Sequence, residues 1–412
     1  MAMTTENRKA ALRGFALRVR RWDYTPLLLC WATAVFYAFF CLYIGIDPVG
    51  SSGYNTYTLQ ALAWRSGSYS LGQDYPWLEL ATYQGDWYVS FPPVPTIPLF
   101  FLTFLFGGAT PDNLLVKLYL LAGCLSVYRM LRRARYDKLS AVGFTLFFSF
   151  ASCLVALTTE GGVWYQAQML AYALTCAAIA CMFCRKITAS LICYAFAVGC
   201  RPFNAIYGLP LLAQYAMLYR PFREKWQRAA RQIVPGVLCG LLVAFFYGWY
   251  NYIRFGNPLE FGHNYLPEFS WQGGTQFSVA HIAQNLKSFV LRMPFALENG
   301  EWRLSHFGFC FLIANPVFIL FLFWIAADLI RRRFTWTKAI IFFSCAVHLF
   351  LLLLHRTFGG FQFGARYTCD LLPYAALYLA QEGRVRRMLL PEKLLLVPAL
   401  FFSLYGAASI LL

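Results

Sequence analysis

The feature that most constrains this chain is a repeated alternation of long apolar runs with short, dense clusters of Lys and Arg. The apolar runs fall at roughly 26–46, 93–107, 114–131, 140–158, 166–184, 187–200, 203–219, 233–252, 307–329, 339–354, 370–381 and 394–411. The basic clusters lie at Arg8–Arg21, Arg129–Lys138, Arg185–Lys186, Arg220–Arg231, Arg331–Lys338 and Arg384–Lys393, and hold most of the 35 Lys and Arg residues. An apolar helix of about 20 residues spans the ~30 Å hydrocarbon core of a bilayer. With 59% hydrophobic and only 13% charged residues, the 412-residue chain has too few charges to coat a water-soluble surface. It reads as an all-α polytopic membrane protein, one domain over residues 1–412.

Basic clusters prefer the cytoplasmic side of a membrane. If all twelve runs crossed, the cluster at Arg129–Lys138 and every later one would fall outside. Removing a single crossing before residue 129 puts all six inside. The run at 93–107 is the one to remove: it is short, begins PPVPTIP and ends FGG, which suits an interfacial or re-entrant segment. The resulting expectation is about eleven transmembrane helices with residues 1–25 in the cytoplasm. No small-residue cleavage site follows the first run, so it reads as a retained helix. Two large outer loops remain, 47–113, carrying interfacial helices, and 253–306. The net charge of +17 then reports topology, and no nucleic-acid partner is expected. The 13 cysteines sit mostly inside apolar runs and read as small buried hydrophobes.

The chemistry-bearing residues concentrate in the outer segments. From Tyr57 to Trp64 the spacing predicts an amphipathic helix with Leu59, Leu62 and Ala63 towards lipid. Asp74, Glu79 and Asp86 then follow among Tyr75, Trp77, Tyr83, Trp87 and Tyr88. A carboxylate among aromatics at a membrane surface can serve as a general base, and aromatic faces suit sugar rings. The competing reading is an interface belt with ordinary solvated acids. Arg201 in CRPFN and Arg366 in HRTFGGFQFGARYTCD place cations at the outer ends of apolar runs. Guanidinium binds phosphate with a bidentate fork, or else snorkels to lipid headgroups. His263, in YNYIRFGNPLEFGHNYLPEF beside Arg254 and Glu260, reads as a base, a phosphate contact or a plain loop histidine. No HExxH, GxSxG or Walker-type motif supports a metalloprotease, hydrolase or ATPase.

Taken in order, these segments resemble the GT-C superfamily of membrane glycosyltransferases, which use polyprenyl-phosphate-linked sugars. The resemblance rests on the basic N-terminus, one helix and a large acidic outer loop closing in GDWYVSFPPVPTIPLFFLTFLFG. It continues in CRPFNAIYGLPLL, NYIRFGNPLEFGHNY and GGFQFGARYTCDLLPY. Many members place an Asp just after the first helix; here that place reads SSGYNTY, with Asp47 several residues earlier. The resemblance therefore points to Glu79 in WLELATYQGDWYVSFPP as the base, ahead of Asp74 and Asp86. It implies acceptor contacts from Glu160 in TTEGGVWYQ, with Trp87, Tyr88 and Gln362. Arg201, Arg366 and His263 would hold the lipid phosphate. The implied reaction is inverting transfer of a monosaccharide from the polyprenyl phosphate to an acceptor hydroxyl of a glycolipid, polysaccharide or protein. No cofactor is implied, and a divalent metal stays open.

Two other classes remain open on the sequence. A transporter or lipid flippase would carry ionisable residues mid-helix and repeat symmetry; only Lys117, Asp328 and His348 stand within apolar runs, and no repeat is evident. A lipid-linked glycan ligase, polymerase or acyltransferase would share the outward site. A bacterial plasma membrane is the expected location, since no outer loop carries an N-x-S/T sequon.

Overall fold

A computed structural model describes residues 23–218, 226–267, 276–298, 300–357, 359–382 and 386–411. The N-terminal basic segment, Arg220–Lys225, Glu268 and Arg384 lie outside the described residues. The helices are α1 (Thr25–Tyr43), α2 (Thr56–Arg65), α3 (Thr96–Phe106), α4 (Asp112–Arg133), α5 (Lys138–Ser149), α6 (Val163–Phe183) and α7 (Ile187–Cys200). After these come α8 (Gly208–Leu218), α9 (Trp226–Phe255), α10 (Val317–Ile330), α11 (Trp336–Leu354), α12 (Leu372–Leu379) and α13 (Leu390–Leu411). Each large loop also carries an antiparallel hairpin, β1–β2 (Leu80–Tyr83 with Asp86–Val89) and β3–β4 (Phe295–Glu298 with Glu301–Leu304).

Among the described residues six helices, α1, α4, α6, α9, α11 and α13, are long and apolar enough to cross a membrane. The other apolar runs form shorter pieces. Helix α5 has 12 residues and α7 and α10 have 14 each, so they reach only about 18–21 Å along their axes. The reasons are local. Pro202 forces its predecessor out of the helical region, and Arg201 is extended (φ −143°, ψ 104°), which ends α7 there. The run at 140–158 stops at Ser149 and re-forms as one turn, Leu154–Leu157, while the run at 307–329 breaks at Asn315–Pro316. These two breaks face each other across one side chain. Asn315 accepts from the Cys153 amide at 2.9 Å and donates to the Thr368 hydroxyl at 3.0 Å. Broken backbone inside an apolar bundle survives only where such partners replace water.

The surface helix α2 forms close to where the spacing puts it, but its packing differs. Tyr57, Thr58, Gln60 and Ala61 are buried, and Leu59, Leu62 and Ala63 are half-buried instead of open to lipid. The cause is α3, the run judged too short to cross, which lies against α2. Gln60 joins Thr96 of α3 and donates to the Tyr250 hydroxyl of α9 at 2.7 Å. Arg65 closes the pair by donating to the Thr103 carbonyl. Helix α9 also continues through Phe255, so Arg254 belongs to its last turn and not to the loop that follows.

Among the described residues, the loops that carry the basic clusters after α4, α6, α8 and α12 meet at one end of the bundle. There Asp23 pairs with Lys138 at 3.1 Å, and Tyr136 donates to the Leu379 carbonyl. At the same end Gln214 bonds Gln381, and Arg386 pairs with Glu392 at 2.6 Å. Asp137 caps α5 by accepting from the Ser140 amide. Two of the ionisable residues inside runs are compensated: Asp328 pairs with Lys338 and accepts from Tyr378, and Lys117 donates to the carbonyls of Asn113 and Thr159; the buried His348 meets the Tyr374 hydroxyl through Nδ1 at 3.4 Å. The large loops and the turns at 159–162, 201–207 and 355–371 assemble at the opposite end.

Candidate active site

At that opposite end the structure is organised around Trp164, in the first turn of α6. Its position depends on Gly161: a Cβ there would lie 2.4 Å from the Asp112 backbone, so only glycine lets the turn press against α4. The Gly161 amide donates to Asn113, and the Val163 amide to the Tyr54 carbonyl, which ties α6 to the first outer loop. The Trp164 indole then donates to Glu79 Oε2 at 3.0 Å. The same ring meets the guanidinium of Arg366, whose Cζ is 5.6 Å from its centroid, and Tyr54 at 5.3 Å. One indole therefore separates a carboxylate from a cation.

Arg366 is 5% exposed and rests against the rings of Trp164, Tyr165 and Tyr367. Its own amide donates to Gln362 Oε1 at 2.9 Å. Among the described residues no carboxylate lies within salt-bridge reach of it, and its Nε has no hydrogen-bond partner. Gly359, at φ +92°, lies against the guanidinium; a Cβ there would come 2.6 Å from Nε. A narrow cleft of about 10 Å³ beside Arg366, room for roughly one water, is lined by Gln362, Tyr165, Leu157, Phe363 and Ile410. Arg201 differs. Its Nε donates to Asp370 Oδ2 at 2.6 Å, and Asp370 is fully buried, so this charge is already balanced. Both arginines lean on Tyr367, Arg201 at 5.1 Å and Arg366 at 5.4 Å.

Glu160 and Asp112 converge on Ser52. The Ser52 hydroxyl donates to Glu160 Oε1, and its amide donates to Asp112 Oδ1 at 2.7 Å. His263 lies in a 3-10 turn entered through Gly262 at φ +88°, with its ring 6.4 Å from Phe91. Burial, with the neighbouring His355 adding to it, pushes the His263 pKa down to about 4. His355, at the end of α11, is held below the ordinary histidine value by burial, with help from Arg201 and His281. Its ring is 6.0 Å from Tyr367, which links the histidine side of the site to the arginines.

The three candidate bases separate in space. Glu79 is half-buried at Trp164, whereas Asp74 and Asp86 are exposed. Asp86 sits at the β1–β2 turn, where Gln84 and Gly85 adopt positive φ, and it accepts from the Ser70 hydroxyl at 3.0 Å. Strand alternation sends Trp87 into the apolar cluster shared with Trp164, and Tyr88 to the other face, against Phe255 at 5.5 Å. The structure thus brings Glu79, Arg366 and Gln362 together and leaves Asp74 and Asp86 at the solvent edge. Trp164, Tyr367, His355 and Asp370 were not singled out from the sequence. Asp370 was legible in principle, as an acid one helical turn after Arg366 in ARYTCD. Among the described residues no group of three or more His, Cys, Asp or Glu is placed to hold a metal ion.

No family model and no curated relative matches this sequence. Three solved structures are similar in fold. ArnT from Cupriavidus metallidurans bound to undecaprenyl phosphate aligns with a TM-score of 0.49 and 15% identity, over 84% of this chain and 59% of that one. The Archaeoglobus fulgidus oligosaccharyltransferase in the apo form aligns at 0.46 and 13%, over 94% of this chain and 56% of its own. AglB from the same organism, in complex with an inhibitory peptide and a dolichol-phosphate, aligns at 0.47 and 12%, over 94% and 56%. The chain therefore spans less than two thirds of the length of each.

Proposed function

We propose that this protein transfers a sugar from a polyprenyl phosphate to an acceptor hydroxyl, at the membrane face opposite the basic clusters. The observation that carries the reading is Arg366: a buried guanidinium with no carboxylate partner, one indole away from Glu79. A buried cation in that state is stabilised by an anion that arrives with a ligand, and a phosphate matches its fork. Arg201, balanced by Asp370, and His263, neutral at pH 7, would add hydrogen bonds to the phosphate.

Glu79 takes the proton of the acceptor hydroxyl, and that oxygen bonds to the anomeric carbon as the carbon–phosphate oxygen bond breaks on the opposite face. Configuration inverts, and polyprenyl phosphate leaves with its charge stabilised by Arg366. Glu160, with Trp87 and Gln362, would bind the acceptor, while Tyr88 faces Phe255 on the other side of the hairpin and drops out of that set; Asp74 and Asp86 rank behind Glu79 as bases. The test is native mass spectrometry of the protein in mild detergent, with Arg366→Ala, Arg201→Ala and Glu79→Gln. Bound polyprenyl phosphate should vanish in Arg366→Ala, weaken in Arg201→Ala and persist in Glu79→Gln. Retention in Arg366→Ala would sink the assignment.

A further inference from the structure

The β3–β4 hairpin in the second large loop is amphipathic in a way the site does not use. Directly paired residues of an antiparallel ladder share a face, as do residues two apart on one strand. The register pairs Phe295 with Leu304 and Leu297 with Trp302, so these four apolar side chains form one face. The other face carries Ala296 and Arg303, with Glu301 next to the turn and bonded to Arg303 at 2.8 Å.

The root of the apolar face rests on α13. Leu304 is buried, and the Phe295 ring lies 6.4 Å from Phe402 and 6.2 Å from Tyr405. The rest is open, with Leu297 61% and Trp302 72% exposed. Helix α13 is one of the six long apolar helices, and its own neighbouring side chains Phe401 and Tyr405 are exposed too. Its far end, Ile410, reaches the cleft beside Arg366. The hairpin root therefore meets α13 roughly 10 Å from the end of that helix, beside its exposed Phe401 and Tyr405. A lone two-stranded hairpin is marginal in water, and tryptophan favours the boundary between headgroups and acyl chains.

We infer that the β3–β4 hairpin is a lipid anchor: Leu297 and Trp302 continue the lipid-facing surface of α13 into the membrane interface at the site end of the bundle. Arg303, on the opposite face, points to water and headgroup phosphates. This holds whichever reaction the site performs.

The test places the photocrosslinker p-benzoylphenylalanine at Trp302, and in a second protein at Arg303, in the full-length chain. Each is reconstituted in vesicles of phosphatidylethanolamine and phosphatidylglycerol, irradiated and weighed intact. Phospholipid adducts should be several-fold more abundant at position 302 than at 303. Equal yields at both positions, or no lipid adduct at 302, would overturn the inference. An adduct of twice the chain mass at 302 would also overturn it and assign the face to a second copy of this chain.

Discussion

Arg366 carries a charge that its protein surroundings do not neutralise, and this sets its expected behaviour on mutation. Burying an unpaired ion costs several kcal/mol even after relaxation. Arg366→Met, similar in length and apolar, should raise the thermal midpoint of lipid-free protein in detergent. The same change should remove the stabilisation that added undecaprenyl phosphate confers on the unmodified protein, about 2.7 kcal/mol at a hundredfold excess over Kd. A variant that melts lower without lipid, or still gains from it, would make the guanidinium structural. His263 gives a second measurement at this scale. Its folded pKa of about 4 lies below the ordinary 6.5 because burial opposes the charged form. Between those values the unfolded chain binds more protons than the folded one, so stability falls as pH drops from about 6.5 to about 4. His355 shifts in the same direction. His263→Gln should flatten part of that acid limb in unfolding midpoints measured against pH, and an unchanged limb would refute the burial argument.

At the scale of elements, the breaks in the apolar runs matter more than the runs. Asn315 satisfies the Cys153 amide and the Thr368 hydroxyl across two interrupted segments. Asn315→Leu leaves the buried Cys153 amide unsatisfied, at a cost of about 1–3 kcal/mol, while the Thr368 hydroxyl keeps the Ala365 carbonyl. The midpoint of thermal unfolding in mild detergent should fall accordingly, and Asn315→Asp, which keeps the acceptor for Cys153, should fall less. The reach of sequence reasoning at this scale is clear from α2 and Trp164. Residue spacing predicts the helix at Tyr57–Trp64, yet the partner that covers it, α3, comes from a run 40 residues later. Trp164 stood in the quoted TTEGGVWYQ as one aromatic among many. Nothing local marks its indole as the contact between Glu79 and Arg366, because those three residues come from three segments far apart in sequence.

For the whole molecule, the clustering of basic loops at one end leads to an expected topology. Reporter fusions ending after Arg135 and after Arg333 should report the cytoplasm, and fusions ending after Gly262 and after Arg303 the other side. Opposite results for the first pair would reverse the bundle, since Tyr136 bonds Leu379 and the adjacent Tyr378 bonds Asp328, whose carbonyl takes the Arg333 amide. Among the described residues six helices have the length to cross unaided, while α7 stops before Pro202 and the run at 307–329 breaks at Asn315–Pro316. Their ends are where the outer segments find room to meet.

The sequence by itself determined that this chain is built of apolar helices fit for a membrane, roughly where most of them start, and which segments hold its basic clusters, acids and cations. Those properties follow from transfer free energies and proline sterics, which act over a few neighbouring residues. Only the tertiary structure decided that Glu79 and not Asp74 or Asp86 faces Trp164, that Asp370 balances Arg201, and that Arg366 is left without a carboxylate. Charge compensation is a property of atoms within about 4 Å of one another, and in this fold those atoms are up to 169 positions apart in the chain.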